Sequence, residues 1–285
     1  MLKKVYIFLP VHNRCDITRR FIESLVRQNY KNRHLVLLDD GSTDGTEQMV
    51  RSYINDFTLI RGTGDWWWAG ALHQGYLWLK KQDISANDIV LIINDDTEIE
   101  PDYLETALDI LSDKPHTLLV TRCYDKRTGI MIDPGTYHMN FAKRAFSTVD
   151  GDSEINCSST RGLFLRVSDL FAIGGFYPKL LPHYLSDIEY TYRAYKKGMK
   201  LLADERLKLS LDDEATGYHD HDYNTSSRLM LLKKYFSNKS SANPIHWTNF
   251  ILITCPWRYK AKHVINIWKS VLQFLFNRII YGNSR

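Results

Sequence analysis

Several short motifs that identify large enzyme classes are absent from this sequence. No CxxC pair joins its four cysteines, which speaks against a disulfide framework and against a cysteine-ligated zinc site. Neither GxxxxGK nor GxGxxG is present, so we disfavour a P-loop enzyme and a dinucleotide-binding enzyme. A nucleotidyltransferase would need a glycine-rich, basic loop after its first strand, and Pro10–Asp16 contains no glycine. The cysteines are expected to stay reduced, which predicts a cytoplasmic location.

Acidic residues are missing from the last part of the chain. No Asp or Glu follows Asp222, whereas ten lysines and arginines do. A basic tail on a more acidic body predicts an anionic partner, either a membrane surface or a nucleic acid. Long apolar runs separate these cations, unlike the closely spaced cations that follow a phosphate backbone. We therefore expect no nucleic-acid partner and keep a nucleic-acid-binding protein only as an alternative.

Long hydrophobic runs are also missing. The apolar run after Lys3 and Lys4 is about seven residues long, which is too short for a secretory leader, and we predict that it forms the first strand. The chain has 285 residues, of which 44% are hydrophobic and 25% are charged. This composition is typical of a folded α/β domain with an appendage, and it excludes global disorder.

The most informative stretch of the sequence is an apolar run that ends in acids. Ile89–Ile93 contains no polar residue, as expected for a strand buried on both faces of a parallel sheet. Asn94, Asp95 and Asp96 follow directly. Carboxylates at the end of a buried strand are costly to desolvate unless a cation partners them, and a divalent metal with oxygen ligands is the simplest such partner. A solvated acidic turn is the alternative for the pair taken alone.

Strand and helix patterns alternate through the first half of the chain. Predicted strands cover residues 5–11, 34–38, 57–60, 89–93 and 117–121, with apolar helical stripes between them. This alternation predicts a parallel sheet with helices on its faces, in which ligands bind outside the carboxyl ends of the strands. Polar clusters follow three strands, at residues 12–14, 39–44 and 94–96. Residues 127–159 lose the periodicity, and we predict irregular structure or a hairpin over the site.

Three motifs in order carry a resemblance to a known family. DDGSTDGT, NDD, and SDIEYTYRA followed by KKGMKLL together resemble the inverting glycosyltransferases of family 2, over roughly Lys4 to Leu211. GDWWWAGALHQGYLWL and PHYLSDIEYTYRA resemble elements of a subgroup of rhamnosyl- or galactofuranosyl-transferases that act in the synthesis of bacterial surface polysaccharides.

The resemblance implies an architecture and an activity. The expected fold class is α/β, of GT-A (Rossmann-like) type, with a mostly parallel sheet, helices on both faces and a helical C-terminal extension. Residues 1–222 would form the catalytic domain, with a nucleotide-binding half to about residue 125, and residues 223–285 the extension. The implied activity is sugar transfer from a nucleotide diphosphate sugar, dTDP-rhamnose or a UDP-sugar, to a glycan or lipid-linked acceptor.

The resemblance also implies a donor site and a metal site. Mg²⁺ or Mn²⁺ at Asp96 would neutralise the donor diphosphate, with His219 or His221 as a second ligand. These two histidines also suit an independent metal site or a polar loop. Asp40 would accept the pyrimidine N3 hydrogen, and its alternative role is a cap of the turn before Thr46. The expected nucleotide and donor residues are Pro10, Val11, Asn13, Arg14, Asp40, Asp65, Trp67 and Asp95.

Catalytic and acceptor-binding residues follow from the same comparison. Asp187 matches the family's general base at a helix N-terminus, where a capping role is compatible with catalysis. Glu189 is the second candidate for that base. Adjacent tryptophan side chains diverge, so Trp66, Trp67 and Trp68 cannot all lie in the core, and one is expected to stack on a sugar ring. The expected acceptor-binding residues are Trp68, His183 and Tyr184.

The end of the chain has the pattern of an amphipathic helix. Between Val264 and Tyr281, apolar residues share one face with no acid present. The pattern predicts a helix in an anionic membrane interface, at the inner face of the cell membrane, and it is too polar to span. Packing against the catalytic domain, or against a second subunit in a homo-oligomer, is the alternative. The predicted face contains Val264, Ile267, Trp268, Val271, Leu272, Leu275 and Ile279.

Overall fold

The computed structural model describes residues 3–149, 154–211 and 228–276. Its strands are β1 Val5–Val11, β2 Arg33–Asp39, β3 Phe57–Arg61, β4 Ile89–Ile92, β5 Thr97–Ile99, β6 Thr117–Asp125, β7 Met131–Asp133, β8 Tyr137–Asn140, β9 Ala145–Thr148, β10 Leu163–Arg166 and β11 Lys200–Leu211. Its helices are α1 Cys15–Val26, α2 Thr46–Tyr53, α3 Trp67–Leu79, α4 Tyr103–Ile110, α5 Val167–Ile173, α6 Ser186–Lys196, α7 Arg228–Tyr235, α8 Pro244–Thr254 and α9 Trp257–Leu275.

One large sheet organises the described residues. Its strand order is β3-β2-β1-β4-β10-β6-β11-β5, and β7 pairs with β6. The first four strands are parallel, as the alternation of strands and helices predicted. β10 runs antiparallel to both of its neighbours, so the second half of the sheet is mixed. The α/β fold class is confirmed, and the predicted hairpin in residues 127–159 corresponds to β8 and β9.

The apolar strands supply both faces of the sheet. Along β1, Val5, Ile7 and Leu9 join a core cluster with α1, α2 and α4. Tyr6 and Phe8 alternate with them and join a second cluster with α3, α5 and α6. Side chains on a strand alternate between faces, so a strand covered on both sides must be apolar throughout. This arrangement leaves the loops at the carboxyl ends of the strands as the available binding edge.

The described part of the C-terminal extension packs against the second half of the chain. Phe250 and Ile251 of α8 and Ile267 of α9 share a buried cluster with Phe141 and Tyr192. The nitrogen Nε2 of the buried His263 lies 2.6 Å from the carbonyl oxygen of Phe141. Among the described residues, no helix combines the length and the hydropathy needed to cross a membrane.

The predicted apolar face of the last helix is divided in the structure. Ile267 and Val271 are buried, whereas Trp268 and Leu272 are exposed. The helix begins at Trp257, seven residues before the predicted start at Val264. The packing alternative therefore holds for part of the predicted face, since Ile267 joins the buried cluster of α8, and membrane contact of the exposed part stays a prediction. Ile279 lies outside the described residues.

We predict that Gly162→Ala destabilises the fold by about 3 kcal/mol, measured by urea unfolding. Gly162 has φ +69°, and a Cβ there would lie 2.6 Å from the Tyr103 hydroxyl oxygen and 2.7 Å from Thr121 Oγ1. Gly129 is the matched control, because it also has φ +69° but has no atom within 4 Å of the added Cβ. Gly129→Ala should cost only about 1 kcal/mol. If the two variants lost the same free energy of unfolding, contacts of the added Cβ at Gly162 would not be the cause of its destabilisation.

Candidate active site

Hydrogen bonds join the loops after β1 and β2 at the carboxyl edge of the sheet. The backbone N–H of Asn13 donates to Ser42 Oγ at 3.0 Å, and the backbone N–H of Thr43 donates to Asn13 Oδ1 at 2.8 Å. His12 Nδ1 lies 2.6 Å from the carbonyl oxygen of Asp40. Two of the predicted polar clusters therefore meet. Pro10 and Val11 are buried just before them, while Asn13 is exposed.

The buried Asp40 carboxylate holds the segment that leads into α3. Its Oδ1 accepts from the backbone N–H of Gly64, and its Oδ2 accepts from the backbone N–H groups of Trp66 and Trp67, at 2.8 to 3.1 Å. The alternative role as a cap before Thr46 is wrong, because Asp44 accepts from the backbone and hydroxyl groups of Thr46. Asp40 thus shapes the wall that carries the tryptophans.

The buried Asp95 already has a cationic partner within the chain. Arg14 Nη1 donates to Asp95 Oδ1 at 2.8 Å, and the Thr18 hydroxyl donates to Oδ2 at 3.0 Å. Burial raises the pKa of Asp95 to about 6, opposed by the charge of Arg14 and assisted by Asp96. Both oxygens of Asp95 are occupied, so the carboxylate secures the loop after β4. The expectation that Asp95 belongs to the donor site stays a prediction.

Asp96 and Asn94 leave oxygens without a partner at the same edge. Arg14 Nη2 reaches Asp96 Oδ2 at a longer 3.5 Å. Asp96 Oδ1 and Asn94 Oδ1 are buried and accept no hydrogen bond from any described residue. Unpaired buried oxygens are costly, and hard divalent cations take oxygen ligands. Each of these two atoms is therefore a candidate oxygen ligand for a divalent cation.

The remaining ligands of such an ion do not come from a preformed protein cage. Within the described ranges, no three His, Cys, Asp or Glu side chains form a metal-binding group. The predicted ligands His219 and His221 lie outside the described residues. A site with few protein ligands is typical of Mg²⁺, which keeps waters and binds substrate phosphates.

A cleft of about 660 Å³ opens beside the end of β4. It brings together the predicted residues Trp68, His183, Tyr184 and Asp187 with Asn94. Residues that the sequence did not single out complete its lining. They are Ile132, Asp133, Tyr137, Ser159, Thr160, Arg161, Leu185, Ile188, Ser241 and Trp247.

Asp187 stands in the first turn of α6 and faces this cleft. Leu185 precedes the helix in the left-handed conformation, with φ +67°. The backbone N–H of Ile188 donates to Asp187 Oδ1 at 2.8 Å. Burial raises the pKa of Asp187 to about 6, and the carboxylate of Asp133 adds to the shift while Arg161 opposes it. A carboxylate with a raised pKa at the edge of a cleft is suited to accept a proton near neutral pH.

Two charged groups on the cleft floor were missed by the sequence analysis. Asp133 accepts from the backbone N–H of Gly135 and from the hydroxyls of Tyr137 and Ser159, at 2.7 to 2.9 Å. Burial disfavours the charge of Arg161, but the carboxylates of Asp96, Asp133 and Asp187 raise its pKa. Arg161 is therefore the cation that balances the acids of this cleft. Asp133 ends the short strand β7 and Arg161 lies in the turn before β10, and no local sequence pattern predicts that these two residues meet.

Glu189 is held outside the cleft. Its oxygens Oε1 and Oε2 accept from Arg193 Nε and Nη2, at 2.8 and 2.9 Å. Arg193 also donates to the carbonyl oxygens of Ile173 and Gly175, which ties α6 to the end of α5. Glu189 is buried, and it does not line the cleft. This placement gives Glu189 a structural role and corrects its selection as a candidate base.

The three tryptophans diverge as expected. Trp66 packs over the second core cluster, and the partly buried Trp68 lines the cleft. The ring centroid of Trp67 lies 6.0 Å from that of His183. Burial lowers the pKa of His183 to about 4, with help from Lys239 and His246, so this ring is neutral near pH 7. Asp65 is exposed and accepts from the Thr63 hydroxyl at 2.7 Å.

Known proteins share sequence with this chain. Residues 6–171 match the family described as Glycosyl transferase family 2. The glycosyltransferase GlyA of Streptococcus pneumoniae serotype 4 is 28% identical over 105 residues, which are 36% of this chain and 14% of GlyA. Glycosyltransferase GlyG of the same organism is 21% identical over 131 residues, 44% of this chain and 40% of GlyG. The chain thus spans less than half the length of these relatives.

Solved structures share the fold. TarS 1–349 of S. aureus matches with a TM-score of 0.57 and 17% identity, covering 96% of this chain and 72% of that one. GalNAc-T7 with UDP, GalNAc and Mn²⁺ matches with a TM-score of 0.60 and 13% identity, over 98% of this chain and 57% of GalNAc-T7. The mannosyltransferase PcManGT from Pyrobaculum calidifontis, in complex with GDP-Man and Mn²⁺, matches with a TM-score of 0.56 and 18% identity. This match covers 96% of this chain and 75% of PcManGT. At these identities the likeness concerns the GT-A fold alone.

We predict that Asp96→Ala weakens Mn²⁺ binding in the presence of UDP by at least about tenfold, followed by electron paramagnetic resonance. The variant should stay folded, because Arg14 retains Asp95 as its partner. Asp95→Asn is the neighbouring control, and it should lower the thermal unfolding midpoint by weakening the buried contacts of Arg14 and Thr18. Unchanged Mn²⁺ binding by Asp96→Ala would exclude this metal site.

Proposed function

This chain belongs to glycosyl transferase family 2, and from that premise we propose that it transfers a sugar from a nucleotide diphosphate sugar to a glycan or lipid-linked acceptor, with inversion at the anomeric carbon. One observation carries the proposal. Asn94, whose Oδ1 has no hydrogen-bond partner among the described residues, and Asp187 line the same cleft. This arrangement supports a donor diphosphate site close to a general base for the acceptor. Family membership also decides for a glycosyltransferase against the nucleotidyltransferase considered above.

Asp187 would remove the proton of the acceptor hydroxyl while the oxygen of that hydroxyl attacks the anomeric carbon. Its Oδ1 is fixed by the N–H of Ile188. The side chain lines the cleft, so the acceptor hydroxyl would approach it from there. The positive charge of Arg161 would oppose the rise in the pKa of Asp187 that burial and Asp133 cause. These contacts support a base that is ionised at neutral pH.

The donor side would be formed by the loops after β1, β2 and β4. A divalent ion bound by Asp96 and Asn94 would neutralise the negative charge that develops on the departing diphosphate. Pro10, Val11, Asn13 and Arg14 border the region proposed for the nucleoside. We propose dTDP-rhamnose or a UDP-sugar as the donor and a surface polysaccharide as the product. A hydrolysis screen across UDP-, dTDP- and GDP-sugars tests this choice, and consumption of none of them would contradict the proposal.

We expect Asp187→Asn to reduce turnover about 10²- to 10⁴-fold, because the amide keeps the shape of the side chain but cannot take a proton. In the unmutated enzyme, Asp187 has a pKa of about 6 and acts only when ionised. The kcat/KM of the unmutated enzyme should therefore fall as the pH drops through 6. At pH 5 it should be about tenfold lower than at neutral pH.

Glu189→Gln is the control for this experiment. It disturbs the buried pair with Arg193, so it should lower the unfolding temperature while leaving the pH profile in place. Titration calorimetry with the donor separates binding from chemistry. Loss of donor binding in parallel with activity in Asp187→Asn would make Asp187 a binding residue rather than the base.

We also propose that α9 contacts an anionic membrane surface. Trp257, Ile265, Trp268 and Leu272 form an exposed apolar stripe at helical spacing, on a different side from the buried Ile267. Exposed cations border the stripe, and α9 contains no acidic residue. An apolar stripe beside cations is the pattern of a helix in a lipid interface. The bordering cations are Arg258, Lys262 and Lys269.

The expected result is that the double variant Trp268→Ser, Leu272→Ser cosediments less with vesicles of phosphatidylcholine and phosphatidylglycerol than the unmutated chain does. Both side chains are exposed, so the fold should be retained. Ile130→Ser is the control, because Ile130 is 67% exposed in the turn between β6 and β7. Raising the salt concentration should weaken the binding. Equal binding by the double variant, or no binding by the unmutated chain at low salt, would contradict membrane contact.

A further inference from the structure

Part of the cleft wall comes from outside the family-matched segment. The match ends at residue 171, but Ser241 and Trp247 of the C-terminal extension line the same cleft as Asp187. The family resemblance therefore does not specify what this part of the wall binds. Its role has to be inferred from how these two residues are held and what they face.

The indole of Trp247 is fixed in orientation before any ligand binds. Its Nε1–H donates to the carbonyl oxygen of Ser241 at 3.0 Å. Its ring centroid lies 6.1 Å from that of Phe146 and 5.8 Å from that of Phe250. A side chain that is already ordered loses little conformational freedom when a ligand packs against it.

The start of α8 is fixed just as firmly. Asn243 Oδ1 caps the helix by accepting from the backbone N–H groups of Ile245 and His246. Its Nδ2 donates to the carbonyl oxygens of Phe236 and Ser237, which closes the loop that carries Ser241. The cap and the closed loop together set the position of the cleft wall.

The same helix is attached to the segment that carries the base. Asn249 Nδ2 donates to the carbonyl oxygen of Leu180 at 2.9 Å. The fully buried Phe250 packs in one cluster with Leu181 and Leu185, and Leu185 lies two residues before Asp187. Trp247 and Asp187 thus belong to one packed unit. A ligand held by Trp247 is placed relative to the base by rigid elements.

The lining of the cleft matches the chemistry of a sugar ring. Trp247, Trp68 and Tyr184 supply aromatic surface, and Asp133 and Asp187 supply carboxylate oxygens. A sugar presents an apolar face of C–H groups that packs on an aromatic ring, and hydroxyls at its edge that donate to carboxylates. The donor diphosphate is assigned to the loops at the ends of β1, β2 and β4. The side of the cleft formed by α8 is therefore left for the acceptor.

We propose that Trp247 is an acceptor-binding residue on which a sugar ring of the acceptor stacks, so that the C-terminal extension completes the acceptor site and selects the acceptor. The proposal rests on the glycosyltransferase function proposed above. It assigns to α8 a part in substrate recognition, in addition to the packing of α8 against the catalytic half.

The test compares sugar transfer with donor hydrolysis by water, using the nucleotide sugar that the enzyme hydrolyses and methyl glycosides of common pyranoses as acceptors. Trp247→Ala should raise the acceptor KM about tenfold and lower the ratio of transfer to hydrolysis, as loss of a central aromatic contact does. Trp247→Phe should show a smaller effect, because it keeps an aromatic face. Tyr53→Ala is the control, since Tyr53 is an aromatic residue that is 41% exposed at the end of α2 and does not line the cleft.

A second variant separates recognition from stability. Ile251 is fully buried on α8 and does not line the cleft, so Ile251→Ala loosens the helix without removing a contact to the acceptor. The proposal is overturned if Ile251→Ala lowers the transfer-to-hydrolysis ratio as much as Trp247→Ala does, or if Trp247→Ala leaves the acceptor KM unchanged. Hydrolysis without transfer to any glycoside also overturns it. Failure to consume any nucleotide sugar would instead reject the proposed function itself.

Discussion

Burial of acids at the carboxyl end of β4 is the constraint on which the site depends. Asp95 and Asp96 are both nearly inaccessible to solvent, and ionised carboxylates in such a place require cations. Arg14 and Thr18 occupy both oxygens of Asp95, which joins the loop after β4 to the start of α1. Asp96 is left with an open oxygen. Arg14 thus neutralises Asp95 at short range, whereas Asp96 keeps one oxygen that accepts no hydrogen bond from a described residue and that we propose as a ligand of a divalent cation.

Buried acids are also balanced by a cation elsewhere in the cleft. Arg161 lies among the carboxylates of Asp96, Asp133 and Asp187, so the proposed metal site and the proposed base share one internal cation. Asp133 is itself fixed by three hydrogen bonds. A cleft with fixed charges can stabilise a developing charge without reorganising during the reaction. The hairpin of β8 and β9 and helices α8 and α9 pack in one apolar cluster with Leu185, two residues before Asp187.

Much of the first half of the structure follows from local pattern. Uninterrupted apolar runs predicted β1 and β4 because a doubly covered strand cannot carry polar residues. The polar clusters after those strands were predicted to lie at the binding edge, since ligands of a parallel sheet bind outside the carboxyl ends of its strands. Local pattern could not place β10 between β4 and β6, because antiparallel insertion depends on pairing over long sequence distances. The resemblance to the family suggested Glu189 as a second candidate base, and Glu189 pairs with Arg193 four residues later on the same helix.

The sequence by itself determined the α/β class, because strand periodicity is a local property, and it predicted the binding edge of the sheet. It proposed Asp96 as an acid at a strand end and Asp187 through the resemblance of its motif to the family. Only the tertiary structure decided which acid keeps an open oxygen, since that depends on Arg14 and Thr18 far along the chain. It also decided that Asp133, Arg161 and Trp247 share a cleft with Asp187. Their segments carry no common motif. They meet because the third apolar cluster packs α8 and α9 against residues 137–195. Burial of apolar side chains brings such segments together without a motif that could be recognised in the sequence.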